Sequence, residues 1–503
     1  MWARNAWLIS LKPKQRHLNF NVTANYLTVI DAGPPGAINV KNPGSSLQAA
    51  FGDGKKDDTR ALRRIFDHAE AQTNPKVFFP PGKYYITSDV TIRGDSVTVL
   101  GSQVGMSIIV TQASKVLTTT LGNVEETEQE DVAVRYLFFD GVRVQFIGKE
   151  GAVKRRISLS HCVFFASQTP PSGAPVFQGQ VRFRYVSDSR PALSYSVFLR
   201  ASAGFGVASK FKKGVNYEIR DNIFGLDLGQ TNWMGNVWTD SYWDTLIPKL
   251  QFLKGHFTLA DDQGYFKSSI YDDRAKNSVI EENIFNGSPN FVRTATYHKD
   301  HVVYMKGFDG TKFVRNYARG WPSDPSGGIK ARNGKSLTIA RNYIDDTGIL
   351  LYTHYPATPT DLYLGLKDVL VYGNHIVERT EIGNRTSGIG YNEPQFKGAD
   401  ENLVYSANTF EIVNPPASLT HPPCIFLDNG DVSQHKVYND NVYQGTNDPV
   451  TLANTRNGDP VEFETTIPVD HDALVSPYSS MSVPDYNIPA YATTTSGWDR
   501  KLD

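Results

Sequence analysis

Two stretches, VVYMKGFDGTKFVRN (302–316) and GIKARNGKSLTIARN (328–342), decide the fold when one is laid over the other. Both end on asparagine. Both carry a cation ten residues earlier, Lys306 in one and Arg332 in the other. Equal internal spacing predicts two coils of one repeating structure, with Lys306 and Arg332 stacked although 26 residues apart. The ending recurs as YEIRDNIF, VIEENIF, LVYGNHIV, LVYSANTF and KVYNDNVY, so asparagines stand at 222, 283, 316, 342, 374, 408 and 441. Their steps are 61, 33, 26, 32, 34 and 33 residues; the first holds either a degenerate coil or a long loop. Asparagine tolerates the left-handed backbone of a tight turn. Stacked amides also bond from coil to coil and satisfy buried polar groups. Both reasons make these residues structural.

A second register runs through the same coils: SIYDD (269–273), VVYMK (302–306), GIKAR (328–332), GILLY (348–352), GIGYN (388–392) and CIFLD (424–428). The second position is always apolar and is expected to point inward, so the third and fifth point out. The fifth gives an outward column of Asp273, Lys306, Arg332, Tyr352, Asn392 and Asp428; the third gives Tyr271, Tyr304, Lys330 and Leu350. Adjacent strands lie about 4.8 Å apart, so these are neighbours. The result is a cationic cluster, with His301 before it and His354 just beyond.

Upstream, FGDGKKDDTRALRRIFDHAEAQ (51–72) opens with a glycine turn and the helix starters Asp57, Asp58 and Thr59. Leu62, Ile65, Phe66 and Ala69 then follow at helical spacing, predicting an amphipathic helix near 57–72. A strand, a Pro-Pro-Gly turn and another strand come next in VFFPPGKYYIT (77–87). This pattern resembles the N-terminal cap of the pectate-lyase-like superfamily. The resemblance implies an all-β chain, a single right-handed parallel β-helix whose first coil is covered by the capping helix. No further strong helix is expected after residue 90. The repeat fades near 445, which divides the chain into a capped β-helix (1–445) and an extended tail (446–503), rich in Pro, Ser and Thr, packed upon it.

The totals narrow the class. Lys and Arg number 51 against 52 acids, which argues against a general nucleic-acid binder. No run of about 18 apolar residues exists, so no membrane span is expected. Cys162 and Cys424 sit in apolar runs and read as buried thiols. Aromatics make up 12% of the chain and suit either sugar stacking or core packing. The start, MWARNAWLISLKPKQ, has too short an apolar core for a signal peptide, so secretion is expected from function alone.

A Lys/Arg cluster on an exposed sheet suits an acidic polysaccharide. β-Elimination of a uronate needs its carboxylate neutralised, its C5 proton taken by a base, and its leaving oxygen protonated. Crowded by Lys330 and Arg332, Lys306 is favoured as the base. Arg332 does not give up a proton, so its physical role is the carboxylate or oxyanion clamp. Tyr304, Tyr352 or His301 could protonate the leaving group. Lys330, Asp273, His301, His354, Tyr271 and Asn392 would line the substrate. The Lys-then-Arg arrangement resembles the alginate lyase and chondroitin-B lyase family, which implies Lys306 as Brønsted base and Arg332 as acid. Calcium-using members carry two glutamates shortly before the lysine. Lys299 and His301 stand there in this chain, so no cofactor is expected.

Two other readings fit. A β-helix glycoside hydrolase could use Asp261/Asp262, Asp272/Asp273 or Asp345/Asp346. A trimeric tailspike-type depolymerase would differ in its mass in solution.

Overall fold

The computed structural model describes residues 25–94, 96–111, 116–121, 132–147, 156–165, 167, 181–184, 190–199, 207–226, 241–256, 268–286, 301–319, 328–345, 347–354, 365–378, 388–392, 400–413, 424–428, 432–445, 450–453, 463–464 and 469–484. Asp261, Asp262, Lys299 and Asp346 lie outside these residues.

Alternating apolar positions between turns build three parallel ladders. One coil shows the plan: His301–Asp309 lies in the first ladder, Lys312–Val314 in the second and Tyr317–Arg319 in the third. In the next coil Ile329–Ala340 serves both the first and the second ladder, and Tyr343–Asp345 the third. The first two ladders form a 25-stranded sheet, and the third is a 13-stranded sheet. The architecture is a parallel β-helix. Val303, Met305, Ile329, Ala331, Ile349, Leu351, Ile389 and Tyr391 point into it and are fully buried. A column of phenyl rings, Phe139, Phe164, Phe198, Phe224 and Phe285, stacks along the interior at 4.7–5.0 Å between centroids. This spacing is the strand spacing itself, so each ring meets the next face to face. These aromatics are core. Cys162 and Cys424 are buried free thiols, and burial pushes Cys162 up to about 12, which keeps it an inert thiol.

The asparagines stack in one corner, between the second and third ladders. Asn316 donates from its backbone N (2.8 Å) and its Nδ2 (3.2 Å) to Asn342 Oδ1. Asn342 does the same to Asn374, Asn374 to Asn408, and Asn408 to Asn441. The ladder also runs back through Asn283 to Asn222. Asn222 and Asn283 bond directly, so the 61-residue step is one coil with a long insertion. One reason given for asparagine needs correction. The left-handed residue is the one before it: Asp221, Glu282, Arg315, Arg341, Gly373 and Ala407 have φ between 54° and 60°. The turn aims that residue outward and the asparagine inward, where its amide satisfies the corner's backbone groups.

Asn316→Ala removes the acceptor for the N–H groups of Asn283 and the donor to Ile280 O and Val314 O, all within a dry corner. At roughly 1–3 kcal/mol for each orphaned group, a stability loss of about 3–5 kcal/mol is expected. Denaturant unfolding measures it, and a loss under about 1 kcal/mol would refute the ladder's structural role.

The first helix, α1, spans Thr59–Glu70 and buries Leu62, Ile65, Phe66 and Ala69 in the same core. Asp58 precedes it but does not cap it. Its buried carboxylate instead accepts from the backbone N–H groups of Phe51, Gly52 and Tyr85, tying the glycine turn to the strand after the Pro-Pro-Gly turn.

Two more helices overturn the expectation of none beyond residue 90. The second, α2 (Ser241–His256), lies in the insertion between Leu226 and Ser268. Its Trp243, Leu246, Leu250 and Leu253 cover Ile108, Phe138, Val163, Val197, Ile223 and Ile284 on the outer face of the third ladder. The third, α3 (Val469–Ser479), is helical where extended chain was expected. Its Val475 and Tyr478 pack on Val314, Ala340, Leu370 and Val404, outside the second ladder. Arg341 donates to the carbonyls of Tyr478 and Ser479, and Arg315 to Ser482 O, so two guanidiniums close the end of α3. Among the described residues no helix is long and apolar enough to cross a membrane.

Candidate active site

The outer face of the first ladder carries the predicted site residues in register. Lys306 pairs in register with Arg332, and Tyr304 with Lys330. Asp273 and Tyr271 pair with Lys306 and Tyr304 on one side. Arg332 pairs with Tyr352, Tyr352 with Asn392, and Asn392 with Asp428 on the other. Of Tyr271 and Asp273 only the backbone is described. The side chains of Tyr304, Lys306, Lys330, Arg332, Tyr352 and Asn392 are half-buried, because pleating lifts them off a core that holds their neighbours.

Aromatic faces hold the cations. Lys330 Nζ lies 5.3 Å from the centre of the Tyr304 ring and 4.8 Å from that of Tyr352. The two rings flank the Lys330 ammonium and attract it through their faces. Arg332 Nη2 lies 3.1 Å from His354 Nδ1, and the His354 ring stacks on Tyr352 at 5.6 Å. Burial pushes the Tyr352 phenol up; Arg332 opposes this and Tyr304 adds to it. Tyr352 therefore keeps its proton through neutral pH and can donate it. His301 is buried against Tyr304, with ring centres 5.1 Å apart. Asn392 Nδ2 donates to Asp428 Oδ2 at 3.2 Å. Among the described residues Asn392 Oδ1 is a buried oxygen with no hydrogen-bond partner.

Sequence reasoning missed three features. Asn333, next to Arg332, is buried and left-handed at φ 42°. Asp400 accepts from Thr353 Oγ1 (3.0 Å), the backbone N of Leu366 (2.7 Å) and the Tyr391 hydroxyl, and so fixes the turn after Tyr352. The cationic column also continues toward the N-terminus, because Lys210 pairs in register with Asp273 and Arg184 with Lys210. Alternation could have found Lys210 and Arg184; nothing in the sequence marks Asn333 or Asp400.

Position 301 supplies no oxygen ligand for calcium, and position 299 lies outside the described residues. Hard divalent cations take oxygen ligands, whereas position 301 offers a buried imidazole packed on a tyrosine. Turnover is expected to survive chelation. Activity lost to a chelator and restored by calcium alone would overturn this assignment. The hydrolase reading loses one acid, since Asp345 lies in the third ladder, buried beside Arg319 at 3.8 Å. His161 sits at a left-handed corner, its ring stacked on Tyr195, tilted against Tyr136 and edge-on to Tyr242.

No curated protein matches the sequence. Among solved structures, the chain is similar to the Azotobacter vinelandii mannuronan C-5 epimerase AlgE4 A-module, at 15% identity and a TM-score of 0.41, over 83% of this chain and 100% of that one. It is similar to the alginate lyase AlyF-OU02 in complex with G6, at 13% identity and a TM-score of 0.40, over 86% and 87%. It is likewise similar to PfbA, a surface adhesin of Streptococcus pneumoniae, at 13% and 0.40, over 84% and 91%. At such identities the reaction must be argued from the site itself. Residues 37–175 match the family model described as rhamnogalacturonase A/epimerase, pectate lyase-like. The chain is a parallel β-helix, and its N-terminal coils carry the pectate lyase-like pattern.

Proposed function

We propose that this protein is a polysaccharide lyase that cleaves a uronate-containing chain by β-elimination. The observation that supports it is the set of three cations on two adjacent coils, Lys306, Lys330 and Arg332, flanked by Tyr304 and Tyr352. Lys330 and Arg332 meet the uronate carboxylate and make the C5 hydrogen acidic. Lys306 takes that proton. The C4–O bond breaks, a C4–C5 double bond forms, and Tyr352 protonates the departing oxygen. An acidic polysaccharide of this size is met outside the cell, so a secreted enzyme is part of the proposal.

The test is a screen of alginate, pectate, glucuronan, dermatan and bacterial exopolysaccharides, read by ultraviolet absorbance of the unsaturated product. Chain scission without new absorbance would favour the hydrolase. Solvent deuterium entering C5 without scission would mean that the second proton returns to carbon, as in an epimerase. No change to any substrate, combined with a trimeric mass, would favour a binding tailspike.

A further inference from the structure

The backbone just beyond the Tyr352 strand, at His354, is held by a side chain of the neighbouring coil. Asn333 Nδ2 donates to His354 O at 2.8 Å, and Asn333 Oδ1 accepts from the backbone N of His354 at 3.0 Å. One side-chain amide thus grips both polar backbone groups of a single residue, 21 positions away. Asn333 can do so because its own backbone is left-handed, at φ 42°, between Arg332 and Gly334. Asparagine tolerates that region at a cost of order 1 kcal/mol. The side chain is 1% exposed, so neither bond is shared with water.

The grip has a chemical consequence on the other face of the loop. Arg332 Nη2 stands 3.1 Å from His354 Nδ1. A guanidinium has five donors and no acceptor. The bond exists only if Nδ1 is bare, so the hydrogen of the neutral ring sits on Nε2. We infer that Asn333 is a positioning residue: it fixes His354 as the Nε2–H tautomer, which in turn holds the Arg332 guanidinium in place beside Tyr352. His354 is then a hydrogen-bond donor through Nε2 and an orienter of Arg332, not a base. The inference rests on the proposed reading only where it touches turnover; the tautomer and the grip stand apart from any activity.

The experiment uses the full chain with 15N-labelled histidine, His354→Gln serving to identify the ring signals. Asn333→Gly keeps the left-handed backbone free of strain and removes only the amide. Asn333→Asp keeps acceptance from His354 N and loses donation to His354 O. In the unaltered protein, His354 Nδ1 and Nε2 are expected at the two extremes of a single tautomer. In Asn333→Gly they should move toward each other, and in Asn333→Asp partly so. For turnover, Asn333→Gly should lower kcat about tenfold or more with KM changed less. The double variant with His354→Gln should be no slower than His354→Gln alone, because residues acting in series are not additive. Ring shifts unchanged in Asn333→Gly, or a hydrogen found on Nδ1, would overturn the inference. Additive losses would overturn the route through His354. If no polysaccharide is cleaved, the lyase reading fails, and the ring signals still decide this one.

Discussion

Lys306→Ala is expected to lower turnover by about two to four orders of magnitude, the usual worth of a positioned general base. The expectation follows from where Lys306 sits: on the outer face of the first ladder, in register with Arg332 on one side and Asp273 on the other. Its neighbours Met305 and Gly307 are buried, so removing an outward side chain leaves the core untouched. Unfolding midpoints should therefore match within about 0.5 kcal/mol, as for surface substitutions generally. Rate and stability measured together separate the two explanations of any loss. Near-full activity in Lys306→Ala, with Asp273→Asn inactive, would hand the site to the carboxylate hydrolase and return Lys306 to the solvated surface.

Arg332→Ala is expected to cost a comparable factor, about two to three orders of magnitude, by a different route. On the proposed mechanism, Arg332 stabilises charge that develops on the uronate carboxylate as the C5 proton leaves. That charge exists chiefly in the transition state, so kcat should fall more than KM rises. Arg332→Lys restores the charge but not the planar fork that reaches His354 Nδ1, and should recover only part of the rate. Full recovery by lysine would show that a point charge suffices. A pure KM effect would make Arg332 a binding residue and leave the oxyanion to Lys330.

The repeat was legible because its two periods are imposed by geometry. Coil length sets the asparagine spacing, and pleating sets the outward column, so residues as far apart as Asp273 and Asp428 fell into one register. α2 was not legible, although Trp243, Leu246, Leu250 and Leu253 have helical spacing. Pro248 sits in its middle and reads as a breaker. α3 hid in a Pro- and Ser-rich tail for the same reason, with Pro477 near its end. Asn333 was beyond sequence reasoning because its partner, His354, belongs to another coil and is met through backbone atoms. Local composition records no such grip. Asp400 was missed likewise, since it acts on Thr353 from 47 positions away.

The asparagine corner also says where this chain is free to change length. Between the second and third ladders two residues intervene in six successive coils, Asp221–Asn222, Glu282–Asn283, Arg315–Asn316, Arg341–Asn342, Gly373–Asn374 and Ala407–Asn408, and three in the next, Asn439–Asn441. The passage from the third ladder to the next first-ladder strand obeys no such gauge, running from Asp345 to Ile349 in one coil and from Leu226 to Ser268 in another. Insertions gather at this passage and also between the first and second ladders, as from Tyr352 to Leu366, while the asparagine corner stays short. In evolutionary terms the molecule separates what must be inherited unaltered from what can be rewritten. New loops at those passages can be tried without renegotiating the core, whereas a residue added between Arg341 and Asn342 would act directly on the Asn342 amide and its bonds to Asn316 and Asn374.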